Sequence, residues 1–154
     1  MSFDTPSGTR GTRQPGRALK WFNKITMWRI RRKGNAKLMG MDALVLTTVG
    51  RKSGEPRSTP VAWFPSEDGG WLIVASAAGA AKNPAWYYNL GTHPDKVRVE
   101  IGSVTTDVIP EQLQGEEREK AWRQITTAMP RFAQYQVKTD RELPIIRLTP
   151  RSPN

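Results

Sequence analysis

The chain has 154 residues, 37% of them hydrophobic, with 13 glycines, 12 prolines and no cysteine. That length buries the core of one domain, the glycine and proline content suits a β-rich body with many turns, and the missing cysteine excludes disulfides, thiol catalysis and Cys-ligated metal. The net charge of +10 is gathered at one end, where residues 1–37 hold ten Lys or Arg against the single acid Asp4; such an arm suits nucleic acid, anionic lipid or a polyanionic ligand.

Residues 1–17, rich in Gly, Pro, Ser, Thr and Arg, predict a disordered basic tail. Residues 18–33 predict an amphipathic helix. Ala18, Trp21, Phe22, Ile25 and Trp28 recur at helical spacing with Leu19 and Ile30 widening the stripe; Lys20, Lys24 and Arg31 lie opposite, Arg29 and Arg32 intrude on the apolar side, and Gly34 ends it. A basic helix with these aromatics fits an anionic membrane surface, and the same stripe equally suits packing on the body. No apolar run approaches the roughly 20 residues that span a bilayer. With no secretory segment either, the expected place is cytoplasmic, peripheral on the inner face of the membrane if the helix binds there.

From Ala43 the period changes to two. Strands are predicted at 43–49 and 57–64, joined by the turn Gly50–Pro56, and at 71–76 after a turn at 65–70. Asn83 and Pro84 read as N-cap and first residue of a helix that Gly91 stops. Strands at 96–102 and 104–110 follow, then helices at 115–128 and 131–137 broken at Pro130, and a last strand at 144–149. About six antiparallel strands with short turns close naturally into a barrel, since closure removes sheet edges. The expected fold class is therefore α+β, mainly β, with residues 18–154 as one domain.

The turn Gly50–Arg57 brackets Arg51, Lys52 and Ser53 between glycines, with Arg57 opening the next strand. Two glycines permit an anion-holding nest of N–H groups, and the side chains complete a site for phosphate or carboxylate. The alternative is a solvated basic hairpin. It is not a Walker loop, because Arg51 stands where that motif needs Gly and a strand follows instead of a helix. A second candidate, Ser76 to Asn83, joins a strand end to a helix start through small residues, which lets a flat ligand approach the backbone. It also reads as an ordinary connection. His93 is the only histidine and reads as a loop residue, so metal and triad chemistry lack their parts. A reaction whose difficult chemistry belongs to a bound cofactor fits better.

Taken together, the stretches LTTVGRKSGEPRSTPVAWF, WLIVASAAGAAKNPAWYYNL, HPDKVRVEI and TDRELPIIRLTP resemble the deazaflavin-dependent nitroreductases, over nearly everything except residues 1–16. The resemblance implies a split β-barrel, coenzyme F420 and hydride transfer to a quinone, an unsaturated lactone or enone, or a nitroaromatic. It implies that Arg51, Lys52, Ser53 and Arg57 meet the phosphate and polyglutamate end of F420. Thr59, Pro60 and Val61 would line the deazaflavin ring with Ser76 nearby, while Ala77, Ala78, Gly79, Lys82, Trp86 and Asn89 close the groove. Tyr135 and Ser76 are the candidate proton donors; no metal is expected. The chain departs from the family's nitroimidazole-reducing pattern at Ala77, where that pattern has lysine, and at Ala62, Met129 and Phe132, where it has tyrosine. The pocket is thus less hydroxylated than one suited to bicyclic nitroimidazoles. Three rival readings remain: a module binding polyanions, with no base-stacking surface for specific nucleic acid; a cofactor-storage protein; and a split barrel using riboflavin phosphate. The expected partner is a small-molecule acceptor, and nothing in the sequence fixes the oligomeric state.

Overall fold

A computed structural model describes residues 3–12, 17–33 and 37–151. Helix α1 (Arg17–Arg32) leads into β1 (Lys37–Leu38), β2 (Met41–Val49), β3 (Pro56–Ala62), β4 (Phe64–Pro65) and β5 (Trp71–Val74). After α2 (Ala85–Thr92) come β6 (Val97–Ile101), β7 (Val104–Gln112), α3 (Gly115–Ala128), α4 (Arg131–Lys138) and β8 (Ile145–Pro150). The sheet path is β2-β6-β7-β8-β5-β4, antiparallel throughout, with β1 and β3 both paired to β2. Because the chain runs from β3 into β4 across Trp63 alone, the two ends of that path are drawn together. The sheet curls into a split barrel, as the strand count and short turns suggest. Among the described residues there are eight strands where about six are predicted, the two additional ones being two-residue pieces.

Alternation sorts the strand residues between two cores. Leu44, Leu46, Ile73, Val99, Val108, Ile146 and Leu148 point inward with Tyr87 and Leu90 of α2. Leu72, Val74 and Ile145 point the other way and meet Ile125 of α3 and Phe132 of α4. Each such buried aliphatic side chain contributes about 1.5–3 kcal/mol. β2 is buried on both faces because Ala43 and Val45 lie under Ile30 of α1.

Several sequence expectations need correction. Residues 3–12, expected to be disordered, lie as a strap along the body. Phe3 packs on the Tyr87 ring at 5.5 Å. The Thr5 N–H donates to Tyr87 Oη (3.0 Å), its carbonyl accepts from Asn83 Nδ2 (2.9 Å), and its hydroxyl accepts from Gln112 Nε2 (2.9 Å). These bonds supply the ordering that composition alone does not foresee. Gly91 does not stop α2, which continues to Thr92. Its missing side chain makes room for Phe3, whose Cβ would lie 2.9 Å from a Cβ placed there. Gly34, expected to end α1, lies outside the described residues. The α1 stripe is divided: Ile30 at its edge faces the body together with Thr26, while Trp21 (71% exposed), Phe22, Ile25 and Trp28 (59%) face outward.

Candidate functional site

A groove runs along the open edge of β3, between it and the chain from Ser76 to Asn89, and its two ends differ in chemistry. The first end is the β2–β3 turn. Arg51, Lys52, Ser53 and Arg57 line it with Lys82 from across the groove, and no carboxylate is among the residues of that lining. The turn is held by its own backbone: the Gly50 N–H donates to Glu55 O (2.8 Å) and the Gly54 N–H to Gly50 O (3.0 Å). The Glu55 N–H donates to Ser53 Oγ (3.1 Å), and the Arg51 N–H to Asn89 Oδ1 (2.9 Å). The expected nest of backbone amides is therefore largely spent on internal bonds. Asn89 is buried and its amide also donates to Thr48 Oγ1 (3.1 Å), so it fixes the turn to α2. The Arg51 guanidinium lies over the Tyr88 ring at 4.9 Å, a favourable placement for a cation. Tyr88's hydroxyl is held below the usual tyrosine range by its bond from Asn83, then by Ser7 and the charges of Arg141 and Arg51, against the opposing effect of burial.

The waist is lined by Ser58, Thr59, Ala85 and Trp86. Beyond it the groove opens into an apolar chamber walled by Pro60, Val61 and Ala62 of β3, Ser76, Ala77 and Ala78, Trp86, and Phe132 and Tyr135 of α4. Among the described residues β3 pairs only with β2, so Pro60, which has no N–H to offer, is tolerated there.

The wall from Ala75 to Asn83 is shaped by a buried cation. Arg141 is 2% exposed. It donates to the carbonyls of Ala75 (2.8 Å), Ser76 (2.8 Å) and Ala80 (3.1 Å), and to Asn83 Oδ1 (2.6 Å). Burial pushes its pKa down, yet four acceptors stand where a carboxylate partner would be expected. Asn83 is consequently not an N-cap: α2 is preceded by Pro84 with no side-chain cap bond. The strap crosses this wall as well, with the Thr12 N–H on Gly79 O (3.1 Å) and Thr12 Oγ1 on Ala78 O (3.1 Å).

Of the residues singled out from sequence, Arg51, Lys52, Ser53, Arg57, Thr59, Pro60, Val61, Ser76, Ala77, Ala78, Lys82, Trp86, Asn89 and Tyr135 all line this groove. Gly79 does not. It is buried against α4, where a Cβ would lie 2.8 Å from the Tyr135 carbonyl. Met129 packs among Leu113, Ile125 and Phe132 rather than on the chamber lining. Sequence reasoning missed Arg141, whose role depends on contacts across some sixty residues, and Leu38, Met39 and Met41, which also line the chamber, Met39 where it meets solvent. The Met39-Gly40 pair was a visible turn signal.

With that geometry in view, similarity to known proteins is informative. Residues 21–150 match the family described as F420H(2)-dependent quinone reductase. An F420H(2)-dependent quinone reductase of Mycobacterium tuberculosis is 33% identical over 112 residues, covering 71% of this chain and 74% of that protein. A solved F420-H2 dependent reductase superposes with TM-score 0.61 at 38% identity, covering 69% of this chain and 92% of the other. Another solved structure, described as a domain-swapped dimer, gives TM-score 0.62 at 33% identity over 86% and 99% of the two chains.

Proposed function

The chain belongs to the F420H(2)-dependent quinone reductase family, and we propose from this premise that the groove holds F420 with its tail at the basic end and its ring in the chamber. The enzyme is an oxidoreductase that uses reduced F420 to reduce an organic acceptor. One observation carries the placement: four cations with no carboxylate line one end of a groove whose other end is apolar. F420 has the same division, an anionic phosphate and glutamate tail joined to a flat deazaflavin. The cations also favour it over riboflavin phosphate, whose tail carries less charge.

In this reading Arg51, Lys52, Arg57 and Lys82 attract and orient the tail, with Ser53 beside them. Thr59, Pro60 and Val61 support one side of the ring, while the small side chains of Ala77 and Ala78 permit close approach from the other. Trp86 closes the waist against water. When bound, reduced F420 supplies the hydride. The chamber then positions a quinone, and Tyr135 and Ser76 are the hydroxyls at its wall able to hold a proton for the quinone oxygen.

Steady-state oxidation of reduced F420 by menadione tests the reading, run beside fluorescence titrations with F420 and riboflavin phosphate. Saturable, F420-selective binding and quinone-dependent turnover are expected. Equal affinity for the two cofactors would overturn the tail assignment. Tyr135→Phe should lower kcat with little change in F420 affinity; an unaltered kcat removes the tyrosine as donor.

The outward stripe of α1 supports a second reading, peripheral binding at the inner face of the cell membrane. Trp21, Phe22, Ile25 and Trp28 are exposed beside Lys20, Lys24, Arg29 and Arg32, the pairing that suits an anionic interface. No helix among the described residues is long and apolar enough to cross a membrane. Flotation with phosphatidylglycerol vesicles should carry the intact chain and fail for a Trp21→Glu, Trp28→Glu variant. Equal flotation of both would rule the helix out as the anchor.

A further inference from the structure

Three non-glycine residues among those described have a left-handed backbone: Met39 (φ 52°), Ala77 (φ 45°) and Ala78 (φ 54°). All three border the apolar chamber. A side chain in that conformation carries a steric cost that glycine avoids, and strain of this kind collects where a site needs a particular shape. For Ala77 and Ala78 the cause is visible: Arg141 fixes the carbonyls of Ala75, Ser76 and Ala80 around them. Met39 has a different setting.

Met39 and Gly40 (φ 81°) form the two-residue turn between β1 and β2, with Leu38 paired to Met41. Left-handed geometry at both central positions is the type I′ turn, which favours Asn, Asp or Gly where Met39 stands. Nor is the side chain there to fill a core, since it is 57% exposed. The tip is nevertheless held. The Met39 carbonyl accepts a bond from Arg131 Nη1 (3.3 Å), and Arg131 begins α4, the helix that presents Phe132 and Tyr135 to the chamber. The hairpin tip is thereby tied to the opposite wall at the chamber mouth.

We propose that Met39, clasped by Arg131, is a specificity-determining residue for the acceptor: its side chain meets the substituent of a quinone that projects from the mouth. The proposal rests on the chamber being the acceptor site. A methionine suits the task, because an unbranched, polarizable side chain adapts to an irregular apolar group and packs against aromatic rings.

The test compares the full-length wild type with Met39→Gly, Met39→Leu and Arg131→Ala. Thermal unfolding and F420 affinity are measured for each. KM is measured for menadione and for a naphthoquinone carrying an isoprenyl chain, and quenching of protein fluorescence reads the affinity for both quinones without cofactor. Met39→Gly relieves the turn, so its unfolding temperature should hold or rise and F420 affinity should stay put. The preference between the two quinones should move by about three- to tenfold, below the roughly 10–200-fold that an enclosed pocket gives per methylene, because the Met39 side chain is more than half exposed. Met39→Leu should restore most of it, and Arg131→Ala should shift it in the same direction as Met39→Gly. An unchanged preference in Met39→Gly overturns the proposal, as does a change accompanied by a lower unfolding temperature, which would mark a merely structural role. Failure of the cofactor reading would show separately, as wild type that does not bind F420 while still binding quinone.

Discussion

The two ends of the groove both depend on arginine, and they use it in opposite ways. Arg51, Lys52 and Arg57 stand exposed on a turn whose left-handed position is glycine, Gly54 (φ 70°). That turn is relaxed and keeps its cations hydrated. They cost the fold little and offer an attraction that salt screens. Arg141 is buried, has no carboxylate among its bonded partners and holds a wall that includes two left-handed alanines. Its desolvation is offset by charge-assisted bonds to four acceptors. The basic end is therefore a place of side chains on an easy backbone, and the chamber a shape imposed on a strained backbone. Mutations should separate them: exposed cations govern affinity, and the buried one governs stability.

The largest effect should come from Arg141→Met, which leaves the Ala75 and Ala80 carbonyls and Asn83 Oδ1 without the guanidinium donor, and the Ser76 carbonyl with the Gly79 N–H alone. A loss of about 3–5 kcal/mol is expected from unmet buried acceptors, or roughly 10 °C in a thermal melt for a chain of this size. Arg141→Lys should recover only part of this, since an ammonium cannot reproduce the guanidinium fork. A loss below about 1 kcal/mol would mean that the wall holds itself, and the contrast would fail.

Asn89→Ala probes the joint between the two regimes. It removes the acceptor of the Arg51 N–H and the donor to Thr48. About 1–3 kcal/mol of stability should go, together with F420 affinity as the turn drifts from α2. By contrast, Arg51→Ala with Lys52→Ala should leave the unfolding free energy from urea titration within about 0.5 kcal/mol of wild type. The same pair should weaken F420 binding about tenfold at low salt, near 1.4 kcal/mol, with the gap closing as salt rises. Equal salt dependence in wild type and variant would detach these cations from the ligand.

Most of the fold was legible because it rests on local signals. The period-two runs at Ala43 and Val97, the turn glycines and the break at Pro130 all report on their immediate neighbours. The basic turn was legible for the same reason. What escaped reading depends on distant partners: Thr5 is ordered by Tyr87 and Gln112, Gly91 is explained by Phe3, and Asn83 is drawn from capping by Arg141. Four amides of the expected backbone nest are engaged elsewhere for a subtler reason, since glycines can permit convergent amides while other bonds claim them. On α1 the hydrophobic stripe was seen correctly as a stripe, but period alone does not say which face meets the body.

Asp140 offers the smallest and most selective probe, because it is an exposed charge that acts on the strap rather than on either end of the groove. Its carboxylate accepts from Thr9 Oγ1 (2.5 Å), the Thr9 N–H (2.7 Å) and the Arg10 N–H (3.2 Å). The Thr9 hydroxyl, then the two amides, hold it down from 3.8 to about 2. A carboxylate depressed on folding contributes stability that is fully present above its ordinary pKa and is lost as pH falls through the depressed one. The Thr9 and Arg10 amides should therefore lose hydrogen-exchange protection, relative to the core strands, as pH is lowered from about 4 towards about 2. Asp140→Asn should abolish that pH dependence while leaving a strap loosened at every pH. If the variant kept the same acid transition, another titrating group would have to fasten the strap, and Asp140 would be one of several ties beside the Gly8 N–H on Ala81 O and the Thr12 bonds to Ala78 and Gly79.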